Sequence, residues 1–327
     1  MYKKFFGLKR NPFELSPDPY FIFPTDKSKE VFASVYHGIS RRKGFVVLTG
    51  EVGTGKTLMV RCLLSLLKRQ EIAFANVFNP RLSALDFLRF VALDLGLRVE
   101  EPTKGNVLHA LYEFLLGQAE KGLTTVLVID EAHQLSLNVL EEIRLLTNLE
   151  TTQQKLLQII LAGQPELDRK LDSHELRQLK QRVAIRCQLE PLSLEETRSY
   201  IERRLKLSFA EEPPAGTIFS PETVEAIYRY ACGIPRTINA ICEQALVAAY
   251  AAGSPVVHPD TIEKVAAYFR LHPVSHFGES SEHHDMGDQR VAARSLLQLM
   301  ESMERALQRD GGVKSTLAVS GARLASH

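Results

Sequence analysis

Two hydrophobic rhythms alternate over the first 190 residues: short apolar runs, and longer stretches in which apolar positions recur every three or four residues. Phe45-Val46-Val47-Leu48, Ile72 to Phe78, Thr125-Val126-Leu127-Val128-Ile129, Leu156 to Ala162 and Ala184 to Leu189 read as strands. The unbroken apolar character of the Thr125–Ile129 run marks a strand covered on both faces, as in a parallel sheet. Between the runs, Val31, Phe32, Val35, Tyr36 and Ile39 have helical spacing, with helices again near Ser83 to Leu95, Gly105 to Lys121 and Ser136 to Leu149. A polar helical stretch leads to Gln181. This alternation predicts an α/β core with a parallel sheet. Beyond Pro191 the pattern is wholly helical. Ser193-Leu194-Glu195-Glu196 spells a capping box opening a helix to about Leu207, and Ser220-Pro221 precedes a second, Glu222 to Cys232. Helices near Thr237 to Ala252 and Asp260 to Phe269 complete a small all-α domain.

The flanks break the rhythm. Pro12, Pro17, Pro19 and Pro24 punctuate the first 24 residues, which also hold Tyr2, Phe5, Phe6, Phe13, Tyr20, Phe21 and Phe23. That aromatic density predicts an arm docked on the domain, either walling a ligand pocket or simply packing. The expected organisation is an arm and helix packing on the core (1–43), the α/β core (44–190), a helical lid (191–271), a linker (272–288), an amphipathic helix (289–309) and a disordered tail (310–327). In the linker His283-His284 lacks a third ligand, so no metal is assigned there. In the last helix Ala292, Leu296, Leu299, Met303 and Ala306 share a face. That face predicts a docking element for a neighbouring subunit or partner, with folding back on the lid as the alternative.

Composition narrows the classes. In 327 residues, 45% hydrophobic, a substantial core is expected and wholesale disorder is excluded. With a net charge of +1, DNA contact would need a local patch. Cys62, Cys187, Cys232 and Cys242 form no metal-ligand spacing and read as reduced thiols. No apolar run is long enough to span a bilayer and the start lacks a signal peptide's apolar centre, which together predict a cytoplasmic protein.

The chemistry concentrates where the first strand meets the helix after it. Gly50, Glu51, Val52, Gly53, Thr54, Gly55, Lys56 and Thr57, with Leu58 next, form a GxxxxGK[ST] loop between a strand and a helix. Backbone N–H groups of such a loop point at phosphate oxygens, and the helix N-terminus adds positive charge. Lys56 can reach the β- and γ-phosphates of ATP, and the Thr57 hydroxyl can ligate Mg²⁺. Asp130, ending its strand at the edge where ligands bind in such sheets, can hold Mg²⁺ opposite Thr57. Glu131 can polarise the attacking water. Gln164 ends the strand expected beside the glycine-loop strand and could sense phosphate. Arg182 could reach a neighbouring subunit's ATP, and Arg236 could swing onto the phosphates with the small domain. Asp130-Glu131-Ala132-His133 also spells the box of one helicase group, but those enzymes need a second α/β core, and only helices follow Leu189.

In that order the motifs resemble an AAA+ ATPase, more narrowly the bacterial GspA/ExeA-like group. The resemblance runs from Met1 to about Leu271. It is carried by Phe5-Phe6-Gly7-Leu8, Asn11-Pro12-Phe13, Pro17-Asp18-Pro19, the glycine loop, Asp130-Glu131-Ala132-His133, Ala162-Gly163-Gln164-Pro165-Glu166-Leu167, Gln181-Arg182 and Gly233-Ile234-Pro235-Arg236. It implies a P-loop core with a C-terminal helical lid. Lys56 and Thr57 become Walker A, Asp130 and Glu131 Walker B, Gln164 sensor 1, Arg182 an arginine finger and Arg236 sensor 2. It further implies an ATP-dependent homo-oligomer, ring or filament, with a protein partner. Secretion members usually continue into a transmembrane helix and a peptidoglycan-binding module, which this sequence does not contain. Two functions follow from the resemblance: an ATPase that remodels an envelope, secretion or export assembly, and an ATP-dependent switch whose oligomer binds DNA and recruits a partner, as in transposition ATPases of the TnsC/TniB kind.

Overall fold

The computed structural model describes residues 2–68, 72–77, 82–152, 154–211 and 217–273. The predicted amphipathic helix, the tail, His283-His284 and nearly all of the linker lie outside them. The chain begins with a single helical turn, α1 (Tyr2–Phe5), and an irregular arm, then α2 (Asp26–Ser40). The α/β layers follow: β1 (Phe45–Gly50), α3 (Lys56–Lys68), β2 (Ala73–Val77), α4 (Ala84–Asp94), α5 (Lys104–Glu120), β3 (Thr125–Ile129), α6 (Leu137–Leu146), β4 (Leu157–Gly163), α7 (Glu166–Leu171), α8 (Arg177–Lys180) and β5 (Val183–Leu189). The helical domain comprises α9 (Leu194–Ser208), α10 (Pro221–Ala231), α11 (Pro235–Ala251) and α12 (Pro259–Tyr268).

All five strands are parallel, in the order β2-β3-β4-β1-β5. Every residue of β1, β3 and β4 is buried, as expected of strands with helices on both faces. At the sheet edge, β5 alternates between half-buried and exposed positions until Leu189. Register fixes what lies beside what. Thr49 pairs with Gly163 and Leu161 with Ile129, so Gly50, Asp130 and Gln164 emerge together at the C-terminal edge.

Sequence signals set the helix ends. Thr25, Ser83, Thr103, Ser136 and Ser220 each accept a backbone N–H three residues on, and Ser193 and Glu196 complete the capping box. Each cap contributes about 1 kcal/mol by satisfying an otherwise orphaned donor. The polar stretch before Gln181 is broken, with a 3₁₀ turn (His174–Leu176) separating α7 from α8.

The arm departs from the expected packing on the α/β core. Phe6, Leu8 and Phe13 are buried in the same cluster as Ile201, Phe219, Ile241 and Leu246 of the helical domain. The reason is backbone pairing with the end of α9, where Lys9 N–H donates to Ser208 O (2.8 Å) and Ala210 N–H to Gly7 O (3.0 Å). The Arg204 guanidinium donates to Pro12 O at 2.7 Å, and Tyr2 Oη to both Glu243 carboxylate oxygens at 2.9 Å. α2 lies on the α/β layer, where Gly38 lets it approach Ile185; a Cβ there would sit 2.6 Å from Ile185 Cδ1. Among the described residues no helix is long and apolar enough to cross a membrane, and no cluster of His, Cys, Asp or Glu could hold a metal by itself.

Candidate active site

The glycine loop rises from β1 into α3, which starts at Lys56 itself. Gly53 (φ +86°) and Gly55 (φ +102°) take conformations that side chains rarely adopt, curling the loop around the helix N-terminus. Lys56 is 6% exposed, and its ammonium donates to Gly50 O (2.7 Å) and Glu51 O (2.9 Å). Burial lowers its pKa, while the negative charges of Glu131, Asp130 and Glu51 oppose that shift. A buried ammonium at the N-terminus of α3 suits an arriving polyphosphate, whose charge would replace the lost hydration.

Across the loop, the Thr57 hydroxyl donates to Asp130 Oδ2 at 2.7 Å, and Asp130 Oδ1 accepts the Glu131 N–H at 2.9 Å. Hydroxyl and carboxylate are hard oxygen donors of the kind Mg²⁺ prefers. Glu131 takes a left-handed backbone (φ 53°, ψ 33°), uncommon for a residue other than glycine, which turns the chain sharply at the end of β3. Its carboxylate lies 3.5 Å from His133 Nδ1, and His133 Nε2 lies 3.1 Å from the Gln164 side-chain nitrogen.

The helical domain forms the opposite wall. Gly233 (φ +70°) permits a turn in which Leu192 N–H donates to Gly233 O at 2.9 Å; a Cβ at Gly233 would meet Leu192 O at 1.9 Å. Pro235 then starts α11, and the Arg236 N–H donates to Gly53 O at 3.3 Å. The resulting cleft of about 300 Å³ is lined by Val52, Gly53, Gly55, Lys56, Thr57, Leu58, Glu131, Gln164 and Arg236, and on its far side by Glu14 to Asp18 of the arm with Tyr200, Arg204 and Asn239. Within the arm, Phe6 and Phe13 pack in the helical cluster, whereas the segment Glu14 to Asp18 after them lines the cleft.

Arg182 is exposed and stands apart. Val183 pairs with Phe45 at the start of β1, so Arg182 sits at the sheet edge opposite the glycine loop. Six strand residues separate those edges, about 20 Å at roughly 3.3 Å each. Within its own chain Arg182 does not approach the cleft.

Sequence reasoning missed His133 as a contact, and also Tyr200, Arg204 and Asn239. Arg204 is 5% exposed, its guanidinium 4.6 Å from the Phe21 ring centre and 5.1 Å from that of Tyr200. Burial lowers its pKa. The available signal was an arginine four residues after Tyr200, on the face of α9 that carries Ile201 and Leu205.

A family model described as an AAA domain matches residues 39–171. General secretion pathway protein A of Aeromonas hydrophila is 42% identical over 270 residues, covering 82% of this chain and 48% of the relative, so the chain spans about half the length of the curated relative it matches. Among solved structures, the Aeropyrum pernix ORC2 protein in ADPNP-ADP complexes aligns with a TM-score of 0.59 at 14% identity, over 82% of this chain and 73% of that one. Cdc6p from Pyrobaculum aerophilum aligns at 0.57 and 18% identity, over 81% and 70%. Both share the fold: a parallel P-loop sheet with helices.

Proposed function

As this chain belongs to the AAA+ ATPases, within their GspA/ExeA-like group, we propose that it binds ATP in the cleft and hydrolyses it to ADP and phosphate. The observation that carries this reading is the Thr57–Asp130 contact at 2.7 Å beside the buried Lys56 ammonium, at one edge of a parallel sheet. The loop from Gly50 to Leu58 cradles the phosphates through its N–H groups, with Lys56 against the β- and γ-phosphates. Thr57 and Asp130 would hold Mg²⁺, which when bound spreads the charge of the phosphate oxygens. Glu131 orients a water and takes its proton as the water oxygen bonds to the γ-phosphorus and the bond to the β–γ bridging oxygen breaks. Gln164 senses the γ-phosphate. Arg236, on the helix that touches Gly53, couples nucleotide state to the angle of the lid.

Arg182 belongs to the neighbour's site in this reading, which makes an oligomer the hydrolysing unit. The likeness to general secretion pathway protein A supports a role in remodelling an envelope, secretion or export assembly through a protein partner. The second reading, a switch assembled on DNA, predicts hydrolysis stimulated by duplex DNA and lost steeply with added salt. Stimulation by DNA at two salt concentrations decides between the two.

The site itself is tested by two substitutions. Lys56→Ala weakens ATP binding about 100-fold, the scale of a lost charge-assisted phosphate contact. Glu131→Gln retains binding and lowers turnover by about 10² or more. Nucleotide titration with single-turnover hydrolysis measures both; equal affinity in wild type and Lys56→Ala rules the site out.

A further inference from the structure

The strained turn at Glu131 faces a side chain that no part of the reaction has yet used. The His133 ring lies between two groups assigned to the γ-phosphate: its Nδ1 is 3.5 Å from Glu131 Oε2, and its Nε2 is 3.1 Å from the Gln164 side-chain nitrogen. The backbone N–H of Gln164 also points at Nδ1, at 3.4 Å, and so competes with Glu131 for that nitrogen. Valence allows two tautomers. With the proton on Nδ1 the ring can donate to the Glu131 carboxylate, which only accepts, and Nε2 takes a hydrogen from the Gln164 amide; with the proton on Nε2, Nδ1 accepts the Gln164 backbone N–H and the carboxylate faces no donor. The tie to Glu131 requires the first.

The ring is held in place from its backbone. Lys170 Nζ, from α7, donates to His133 O (2.7 Å) and Leu135 O (2.8 Å), clamping the turn that carries the ring. Gly163 permits the ends of β3 and β4 to approach, since a Cβ there would lie 3.2 Å from His133 N. The His133 side chain is 13% exposed, whereas that of Glu131 is 44% exposed.

We propose that His133 is a positioning residue that joins the Glu131 carboxylate to the Gln164 amide, so that the group sensing the γ-phosphate and the group activating water move as one unit. The proposal rests on the ATPase reading above. It acts through geometry: a misplaced carboxylate costs rate without weakening the phosphate contacts, and a displacement of about 1 Å can cost on the order of 10²-fold.

The test is His133→Ala, His133→Asn, His133→Gln and His133→Ala/Gln164→Ala, assayed by single-turnover hydrolysis and by titration with a fluorescent ATP analogue. His133→Ala should lower the hydrolysis rate about 10- to 100-fold while the dissociation constant changes less than about threefold. Asn places its amide nitrogen near the Nδ1 position and can still donate to Glu131, so it should recover part of the rate. The double variant should lose less than the product of the two single losses, because both break one chain of contacts. A rate within twofold of wild type in His133→Ala overturns the proposal, as do multiplicative losses or a parallel fall in affinity and melting temperature. If His133→Ala does not fold, the Asn and Gln variants are read by the same criteria. A wild-type chain that binds no ATP overturns the parent reading instead, a different outcome from a wild type that turns over ATP and a variant that matches it.

Discussion

The two walls of the cleft are made in different ways. On the α/β side, the groups proposed to handle ATP lie within a few residues of strand ends: Gly50 to Thr57 after β1, Asp130 and Glu131 after β3, Gln164 after β4. Parallel pairing alone brings them together, because strands that start in register end in register. On the helical side the lining comes from residues far apart in sequence, Asp18 of the arm, Tyr200 and Arg204 of α9, and Arg236 and Asn239 of α11. What unites those is packing of one apolar cluster that includes Phe6, Leu8 and Phe13. One wall is a set of short motifs on a rigid sheet; the other is a product of long-range burial. Substitutions on the first should change chemistry at nearly constant stability, and on the second should change stability first.

The largest effect expected on the α/β side comes from Arg182, which stands apart from the cleft. Arg182 sits at the far sheet edge, so if it acts it acts on the next subunit. Arg182→Ala should lower turnover about 10³-fold, the scale measured for a finger supplied in trans. Turnover per chain in wild type should rise with protein concentration, and mixing Arg182→Ala with Lys56→Ala should restore part of the rate. Flat specific activity together with a dead mixture breaks the assignment.

Phe13→Ala probes the other wall. Phe13 is 0% exposed and meets Phe219 edge-on, ring centres 5.9 Å apart. Removing a buried phenyl ring costs about 3–5 kcal/mol through lost transfer free energy and the cavity left behind. An unfolding free energy from urea titration that falls by less than about 1 kcal/mol would show that the arm is an accessory to the helical cluster and not part of it.

This contrast also explains what the chain disclosed before its structure was known. Apolar runs marked β1, β3 and β4 because both their faces are buried, and the meeting of the glycine loop with Asp130 was legible because each is a short motif at a strand end. The arm's aromatics announced burial but not against what. Their partners, such as Phe219 and Leu246, lie some 200 positions away, and periodicity carries no information at that separation. Arg204 was hidden for the same reason: a helical arginine reads as solvated until Pro12, Phe21 and Tyr200 enclose it. His133 was visible within its motif, but the contact with Gln164 depends on the β3–β4 register.

Where the walls touch, the expected effect is smaller. At Gly53 the loop takes φ +86°, and a Cβ would lie 2.6 Å from the Arg236 Cβ. Gly53→Ala should therefore cost about 1–2 kcal/mol of backbone strain and push α11 away from the loop. ATP affinity should fall more than the melting temperature suggests, because the lid loses its seat against the phosphate loop. Calorimetric titration beside thermal melting separates the two. A variant with wild-type affinity would mean that the two walls are mechanically independent.

The smallest effect is a pH dependence confined to the helical wall. Burial raises the Glu243 carboxyl above its ordinary 4.5, and the hydrogen bonds from Tyr2 and Asn11 offset only part of that shift. The Tyr2 hydroxyl, donating to both carboxylate oxygens, is itself raised by burial first and by the Glu243 charge second. The folded state thus binds the Glu243 proton more tightly than the unfolded chain does. Between 4.5 and the raised folded value, folding takes up protons, so stability falls as pH rises through that window. Glu243→Gln removes the titration and keeps an acceptor for Tyr2. The melting temperature of wild type should therefore drop relative to Glu243→Gln as pH increases from 4.5 toward neutrality. Parallel curves for the two proteins would place the Glu243 carboxyl in water, and the start of the arm would then be held by its aromatic rings and backbone pairing alone.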